Sequence, residues 1–258
     1  MKFGNLLKGL TLAGAVAFAS SAMADGVARG SVKDAPRAAP FSWTGFYLGA
    51  HVGAAMTDIT VTDVNGYNTG ISNTFQNSGG NKAEFFGGLT LGYNYQFQSI
   101  VLGIEGDLGW MDLNRSTQYP PYQGVANRVG DSVAGFSTDG WYGAITGRLG
   151  ITVGDPKLLV YAKAGWGWVE SSASFVDTNP NGIILTAGTA ASKMLDGAVY
   201  GGGIEWAFNR NWSVKVEYLH FNLGTISHRA TSTGAPANPN FRHDVSLDTA
   251  KLGINYRF

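Results

Sequence analysis

The sequence predicts an all-β fold, an eight-stranded antiparallel up-and-down transmembrane β-barrel, and three observations carry that expectation. Apolar residues alternate with small or polar ones at period two in eight segments, while no apolar run of about 18 residues follows the leader. Connections alternate between short turns and long polar loops, the pattern of a barrel whose short turns are periplasmic. Composition agrees: of 258 residues 37 are Gly, 12% are aromatic and only 14% are charged. The absence of Cys excludes disulfide frameworks, thiolate zinc sites and cysteine nucleophiles. Lys+Arg 18 against Asp+Glu 18 lacks the basic footprint of a nucleic-acid binder, so no nucleic-acid partner is expected.

The first residues read as a leader. Lys2 and Lys8 precede an apolar run from Gly9 to Ala19, and Ala22-Met23-Ala24 supplies the small-residue end of a secretory signal peptide over 1–24. That run is too short to span a bilayer as a helix. Cleavage between Ala24 and Asp25 places no Cys at the new N-terminus, which excludes lipid anchoring there. It also removes two lysines and no acids, leaving 16 basic against 18 acidic residues. Residues 25–42, with Pro36, Ala38, Ala39 and Pro40, read as a flexible periplasmic segment, and 43–258 as the barrel.

Strands are expected near 43–54, 83–97, 100–111, 140–153, 158–170, 197–208, 212–222 and 245–258. Short turns fall at Gln98-Ser99, around Gly154-Asp155-Pro156-Lys157 and at Asn209-Arg210-Asn211. Long loops cover about 55–82, 112–139, 171–196 and 223–244. Alternate strand residues face opposite ways. One parity, such as Leu102, Ile104, Leu108 and Trp110, is apolar. The other holds every strong mid-strand charge: Glu105, Asp107, Glu205 and Glu217 against Arg148, Lys163, Lys215, Lys251 and Arg257.

The period alone does not separate a membrane barrel from a soluble barrel turned inside out. Aromatic position does. Trp110, Trp141, Trp166 and Trp168 fall at long-loop ends and Trp43, Trp206 and Trp212 at short-turn ends, two belts suited to membrane–water boundaries. The charges therefore face the lumen of a barrel just wide enough to be filled by side chains. Glu105 and Asp107 are expected to pair with Arg148, and Glu217 with Lys251, as a plug; a narrow polar path through the network is the alternative.

Lys251-Leu252-Gly253-Ile254-Asn255-Tyr256-Arg257-Phe258 resembles the terminal β-signal of bacterial outer-membrane proteins, with Gly253, Tyr256 and Phe258 in the signal positions. The motif implies the barrel-insertion machinery as a partner. Ser42-Trp43-Thr44-Gly45-Phe46-Tyr47-Leu48-Gly49, Gly103-Ile104-Glu105-Gly106-Asp107, Gly147-Arg148-Leu149-Gly150 and Val216-Glu217-Tyr218 resemble the small outer-membrane β-barrel proteins of alphaproteobacteria, a family similar to the transmembrane domain of OmpA and to opacity-type porins. The resemblance covers about 41–258. It implies residence in the cell outer membrane of a Gram-negative bacterium, among outer-membrane lipid and lipopolysaccharide. It further implies an envelope protein whose long loops meet a host or surface ligand, with a porin-like pore or haemin binding as the alternative. No peptidoglycan-binding domain follows the barrel, so no cell-wall tether is implied.

Catalytic and cofactor patterns are weak. His220-Phe221-Asn222 has the spacing of the His-Ser pair in lipid A deacylases, but Asn222 replaces the nucleophile and no acid partner is evident. His228 and His243 lack the acid cluster of the larger outer-membrane proteases. Asp177-Thr178-Asn179-Pro180-Asn181-Gly182 mimics half a calcium loop, yet Gly188 stands where a bidentate Glu belongs. His51, His220, His228 and His243 could offer haem ligands, but with two on strands and two on one loop they read as ordinary surface or lumen residues. No enzyme activity, cofactor or metal is expected.

Overall fold

The computed structural model describes residues 40–64, 73–78, 83–118, 131–178, 184–189, 193–229, 231–232 and 240–258. The signal peptide, the Ala24–Asp25 cleavage point and most of the lead-in lie outside the described residues. In chain order the strands are β1 (Gly45–Asp63), β2 (Asn73–Ser78), β3 (Glu84–Phe97), β4 (Ile100–Gln118), β5 (Asp131–Thr152), β6 (Leu158–Thr178), β7 (Ile184–Thr189), β8 (Lys193–Ala207), β9 (Trp212–Arg229), β10 (Thr231–Ser232) and β11 (Asn240–Arg257).

Eight of them, all but β2, β7 and β10, close into an antiparallel barrel in the order β1-β3-β4-β5-β6-β8-β9-β11, with β11 back on β1. No described helix is long and apolar enough to cross a membrane. The register sets the tilt. Successive partners run Met56, Asp248, His220, Tyr200, Ala164, Gly147, Ile104, Tyr93 and return to β1 at Phe46, ten positions earlier. That stagger belongs to strands inclined about 35–45° to the barrel axis.

The short turns have local causes. Gln98 takes a positive φ of 56° between β3 and β4. Between β5 and β6, Gly154 takes φ 68°, Leu158 N donates to Asp155 O at 2.9 Å, and Lys157 N donates to Asp155 Oδ1 at 2.9 Å. Asn209 Oδ1 accepts from both Asn211 N and Trp212 N at 2.8 Å before β9.

The strands are longer than the sequence pattern indicates. Lipid-facing alternation ends near Met56, yet β1 continues to Asp63 through Ile59-Thr60-Val61-Thr62, because β-branched residues favour strand whether or not lipid lies outside. The β4–β5 pairing likewise runs up to Gln118↔Val133. β2 pairs with β1, β7 with β6 and β10 with β7, so stretches expected as loops carry added sheet.

The exterior parity is apolar, with Leu91, Leu102, Ile104, Ile145, Leu149, Ile204, Val216 and Leu252 all exposed. Trp110, Trp141 and Trp166 project outward at the long-loop end and Trp206 and Trp212 at the short-turn end. Trp43 departs from the expected belt: it is 1% exposed, its Nε1 donates to Pro156 O at 2.9 Å, and it precedes β1. It packs with Val101, Leu159, Tyr161 and Ala207 as an apolar layer at the short-turn end. The outer half of the interior is also apolar, where Phe86, Met111, Tyr142, Leu219, Phe221 and Leu247 join one buried cluster. The lumen is thus layered, with its charges in the middle.

Candidate functional site: a charge layer between two apolar layers

Inward positions of six strands converge on the middle layer. β4 brings Glu105 and Asp107, β5 Arg148, β6 Lys163, β8 Glu205, β9 Lys215 and Glu217, and β11 Lys251, each 4% exposed or less. Glycine makes room for them. A Cβ on Gly253 would lie 3.0 Å from Lys215 Cε, and one on Gly92 would overlap the Tyr47 ring.

Lys163 sits at the centre. Its Nζ is 2.6 Å from Glu105 Oε1, 3.1 Å from Glu217 Oε1 and 3.4 Å from Asp107 Oδ2. Lys215 Nζ lies 2.8 Å from Glu105 Oε1, and Lys251 Nζ lies 2.7 Å from Glu217 Oε1 and 2.8 Å from Asp107 Oδ2. Arg148 makes its closest ion pair with Glu205, is 3.8 Å from Glu105 Oε2, and places its Cζ 3.8 Å from the Tyr161 ring centroid. Four acids and four bases balance within the layer.

Neutral donors saturate the carboxylates. Tyr47 OH donates to Glu105 Oε2 at 2.7 Å, Tyr161 OH to Glu217 Oε2 at 2.8 Å, and Thr90 Oγ1 to Asp107 Oδ1 at 2.6 Å. Ser213 Oγ and Asn255 Nδ2 donate to Glu205 Oε1 at 2.5 and 2.8 Å. His51 Nδ1 lies 3.0 Å from Thr90 Oγ1, and its Nε2 meets the Tyr142 hydroxyl. With Asp107 ionised and His51 neutral, Tyr142 donates to His51, His51 to Thr90 and Thr90 to Asp107. This chain ties the charge layer to the apolar layer above it.

Two expectations on partners need correction. Asp107 does not pair with Arg148; it takes Lys163 and Lys251, because Arg148 lies deeper and finds Glu205 on β8 across the lumen. Arg257 stands apart from the acids. It is buried at the short-turn end, donates to Ser42 O and Arg210 O at 3.3 Å, and stacks on the Phe41 and Trp43 rings at 4.7 Å. Glu217 and Lys251 are direct register partners.

The carboxylates of Glu105, Asp107 and Glu217 converge to within 4.8 Å, the one such group among the described residues. Their donor set does not fit a metal ion. Three lysine ammonium groups already lie among the oxygens a cation would need. Nor do the histidines assemble: His51 is inside and His220 outside the wall. The mimic of a calcium loop leaves β6 after Thr178, and its remainder from 179 to 183 lies outside the described residues.

His220 does have an acid partner. Asp248 on β11, directly opposite in register, accepts from His220 Nδ1 at 2.8 Å and from Tyr218 OH at 2.5 Å. The signal-motif residues close the barrel. Gly253 pairs with His51, Tyr256 packs on Trp212 and on Phe258 with centroids 5.0 and 5.2 Å apart, and Phe258 is 73% exposed on the lipid side.

The architecture can be set beside known proteins. The chain is 30% identical over 264 residues to the 31 kDa outer-membrane immunogenic protein of Brucella melitensis, covering 98% of this chain and 100% of that one. It is 27% identical over 226 residues to the 22 kDa outer membrane protein of Rhizobium leguminosarum, covering 88% and 83%. Among solved structures, OprG from Pseudomonas aeruginosa aligns with a TM-score of 0.45 at 12% identity, over 83% of this chain and 96% of that one. The family model for the outer membrane protein beta-barrel domain matches residues 10–258, so the chain belongs to that family and is a Gram-negative outer-membrane protein.

Proposed function

We propose that the protein is a closed structural barrel of the outer membrane that displays its long-loop end to the outside, and that its lumen is a plug. The observation that carries this reading is the layering. Four acids and four bases are mutually paired at mid-depth, with an apolar layer on each side. An ion crossing the lumen would have to break buried ion pairs and then enter apolar packing, and both steps are unfavourable.

The barrel extends into sheet at its long-loop end, which suits a protein that displays surface to the outside; the Brucella relative is named an outer-membrane immunogenic protein. Gly253, Tyr256 and Phe258 serve as the insertion signal, since they stand at the end of the closing strand, where Tyr256 and Phe258 face lipid and Gly253 leaves room for Lys215 in the lumen. The protein is not an enzyme in this reading. The next lipid-facing position on β9 after His220 is Asn222, which offers no hydroxyl nucleophile.

Planar-bilayer recording on the refolded chain tests the plug. The expected trace shows no stable steps, with only rare, brief openings. A large and steady conductance would overturn it in favour of a pore.

A further inference from the structure

We propose that residues 41–44 form a closure latch, a strap under the short-turn end that sets only once β11 has paired with β1 and then holds that seam shut. The seam joins the first strand to the last, and the hydrogen bond from the Arg257 guanidinium to Ser42 O spans 215 positions of chain. Pairing across that sequence separation carries the largest loop-closure entropy in the barrel. The seam is therefore the last ladder to form and the first place to reopen. The strap lies against it.

The backbone turns from the strap into β1 at Gly45. Its φ of 138° is strained for any side-chain-bearing residue, and a Cβ there would meet Phe258 O at 3.4 Å. The turn thus sits on the seam itself, beside the bond from Phe258 N to Phe46 O at 3.1 Å. Two contacts of the strap are local. Trp43 N donates to Gln96 Oε1 at 2.7 Å, and Gln96 N donates to Thr44 Oγ1 at 2.9 Å. Gln96 belongs to β3, the other neighbour of β1, so both bonds form in an open sheet as well as in a closed barrel.

The remaining contacts need closure. The Phe41 and Trp43 rings stand edge to face with centroids 5.3 Å apart, and each centroid lies 4.7 Å from Arg257 Cζ. Arg257 is on β11, and it also donates to Arg210 O in the β8–β9 turn at 3.3 Å. Trp43 Nε1 reaches Pro156 O at 2.9 Å in the β5–β6 turn, on the far side of the strand order from β1. An open sheet brings none of these partners together, because β11 is away from β1 and the β5–β6 turn has not curled beneath it. Once set, the strap resists reopening, since parting β11 from β1 pulls a buried guanidinium off two aromatic rings. It ties the seam from the lumen side, while Phe258 lies on the lipid side. The latch stands whether or not the lumen conducts.

The test uses the full chain refolded in detergent micelles, with hydrogen exchange read by NMR. Deuterium pulses at successive folding times should find the β1–β11 amides protected before the Trp43 indole N–H, or together with it. Protection of that indole ahead of the seam would overturn the proposal. In the folded state, Phe41→Ala should speed exchange of the β1–β11 amides about tenfold, the size of one desolvated cation–π contact. The β4–β5 amides around Glu105 and Thr146 should stay as in wild type. Gly45→Ala, which strains the turn, should repeat that pattern. Equal acceleration of both ladders would make the strap a general stabiliser, and no acceleration in either variant would make it a passive tail; each result ends the latch account. Gel mobility before and after boiling shows that each variant is folded, and the order of protection in the wild type decides the matter if neither is.

Discussion

Lys163 and Glu105 touch at 2.6 Å although their strands, β6 and β4, do not pair, since β5 lies between them. The contact is made across the curve of the barrel interior, and the same is true of Arg148 on β5 with Glu205 on β8. Partner choice in this lumen follows depth rather than strand adjacency, because a narrow interior lets a long side chain reach any strand at its own level.

Lys163 is therefore the residue whose loss disturbs the layer most. Lys163→Met leaves Glu105 and Glu217 each short of a cation. Removing one partner of a buried pair costs about 3–5 kcal/mol. Urea unfolding in detergent micelles should show that loss. Adding Glu105→Gln to Lys163→Met should recover part of it, giving a coupling energy of about 0.5–3 kcal/mol. Strictly additive effects would mean that the pair is not a unit.

The barrel, its strand count and its lipid-facing parity were legible because membrane strands impose a period of two on every residue. The inward parity of the charges follows from the same period, but it did not say which of them meet: Arg257, expected in the network with the other eight, lies apart at the short-turn end. Pairing Asp107 with Lys251 and Arg148 with Glu205 depends on the stagger of the closed register, which no single strand reveals. Tyr47, Tyr161, Thr90, Ser213 and Asn255 escaped notice because each looks ordinary alone; their inward parity was the available signal. The His220–Asp248 pair was hidden in the same way, by a register contact between strands 28 positions apart. Trp43 misled because its distance from the turn suited a belt, while its position before β1 lets it fold under the barrel.

Trp43 supplies the second prediction. It closes the short-turn end through Pro156 and stacks on Arg257, whose Cζ lies 4.7 Å from its ring. Trp43→Ala should cost about 3–5 kcal/mol, as for other buried Trp truncations, and should open the lower lumen to small solutes. Stability in urea, together with hydrogen exchange of the amides around Val101 and Leu159, measures both. Unchanged exchange would argue that Trp43 is no lid.

Assembly separates Phe258 from its neighbour. Phe258 faces lipid and packs on Tyr256, while the Arg257 side chain points into the lower lumen. Deleting Phe258 should reduce the heat-modifiable form in isolated outer membranes far more than Arg257→Ala, which should mainly lower the unfolding temperature. Quantitative blots of unheated and boiled samples read both effects, and equal levels of the two variants would contradict the assigned roles. The same gels, with N-terminal sequencing, should find mature protein starting at Asp25.

Arg148 connects stability with permeability. Its guanidinium neutralises Glu205, approaches Glu105 at 3.8 Å and lies on the Tyr161 ring, so it joins the charge layer to the apolar layer beneath. In Arg148→Ala, Glu205 keeps the hydrogen bonds from Ser213 and Asn255 but has no cation within ion-pair distance among the described residues. The barrel should unfold at a lower temperature, losing about 3–5 kcal/mol less whatever water enters the vacated space to screen the acids. Ile145→Ala, a change on the lipid face, should cost less because it leaves no charge behind. The same water would give the lumen a hydrated connection between the charge layer and the apolar layer beneath. Bilayer recordings of Arg148→Ala should therefore show noisy, cation-selective leak where wild type is quiet. A steady wild-type current indifferent to Arg148→Ala would place the permeation path elsewhere and end the plug account.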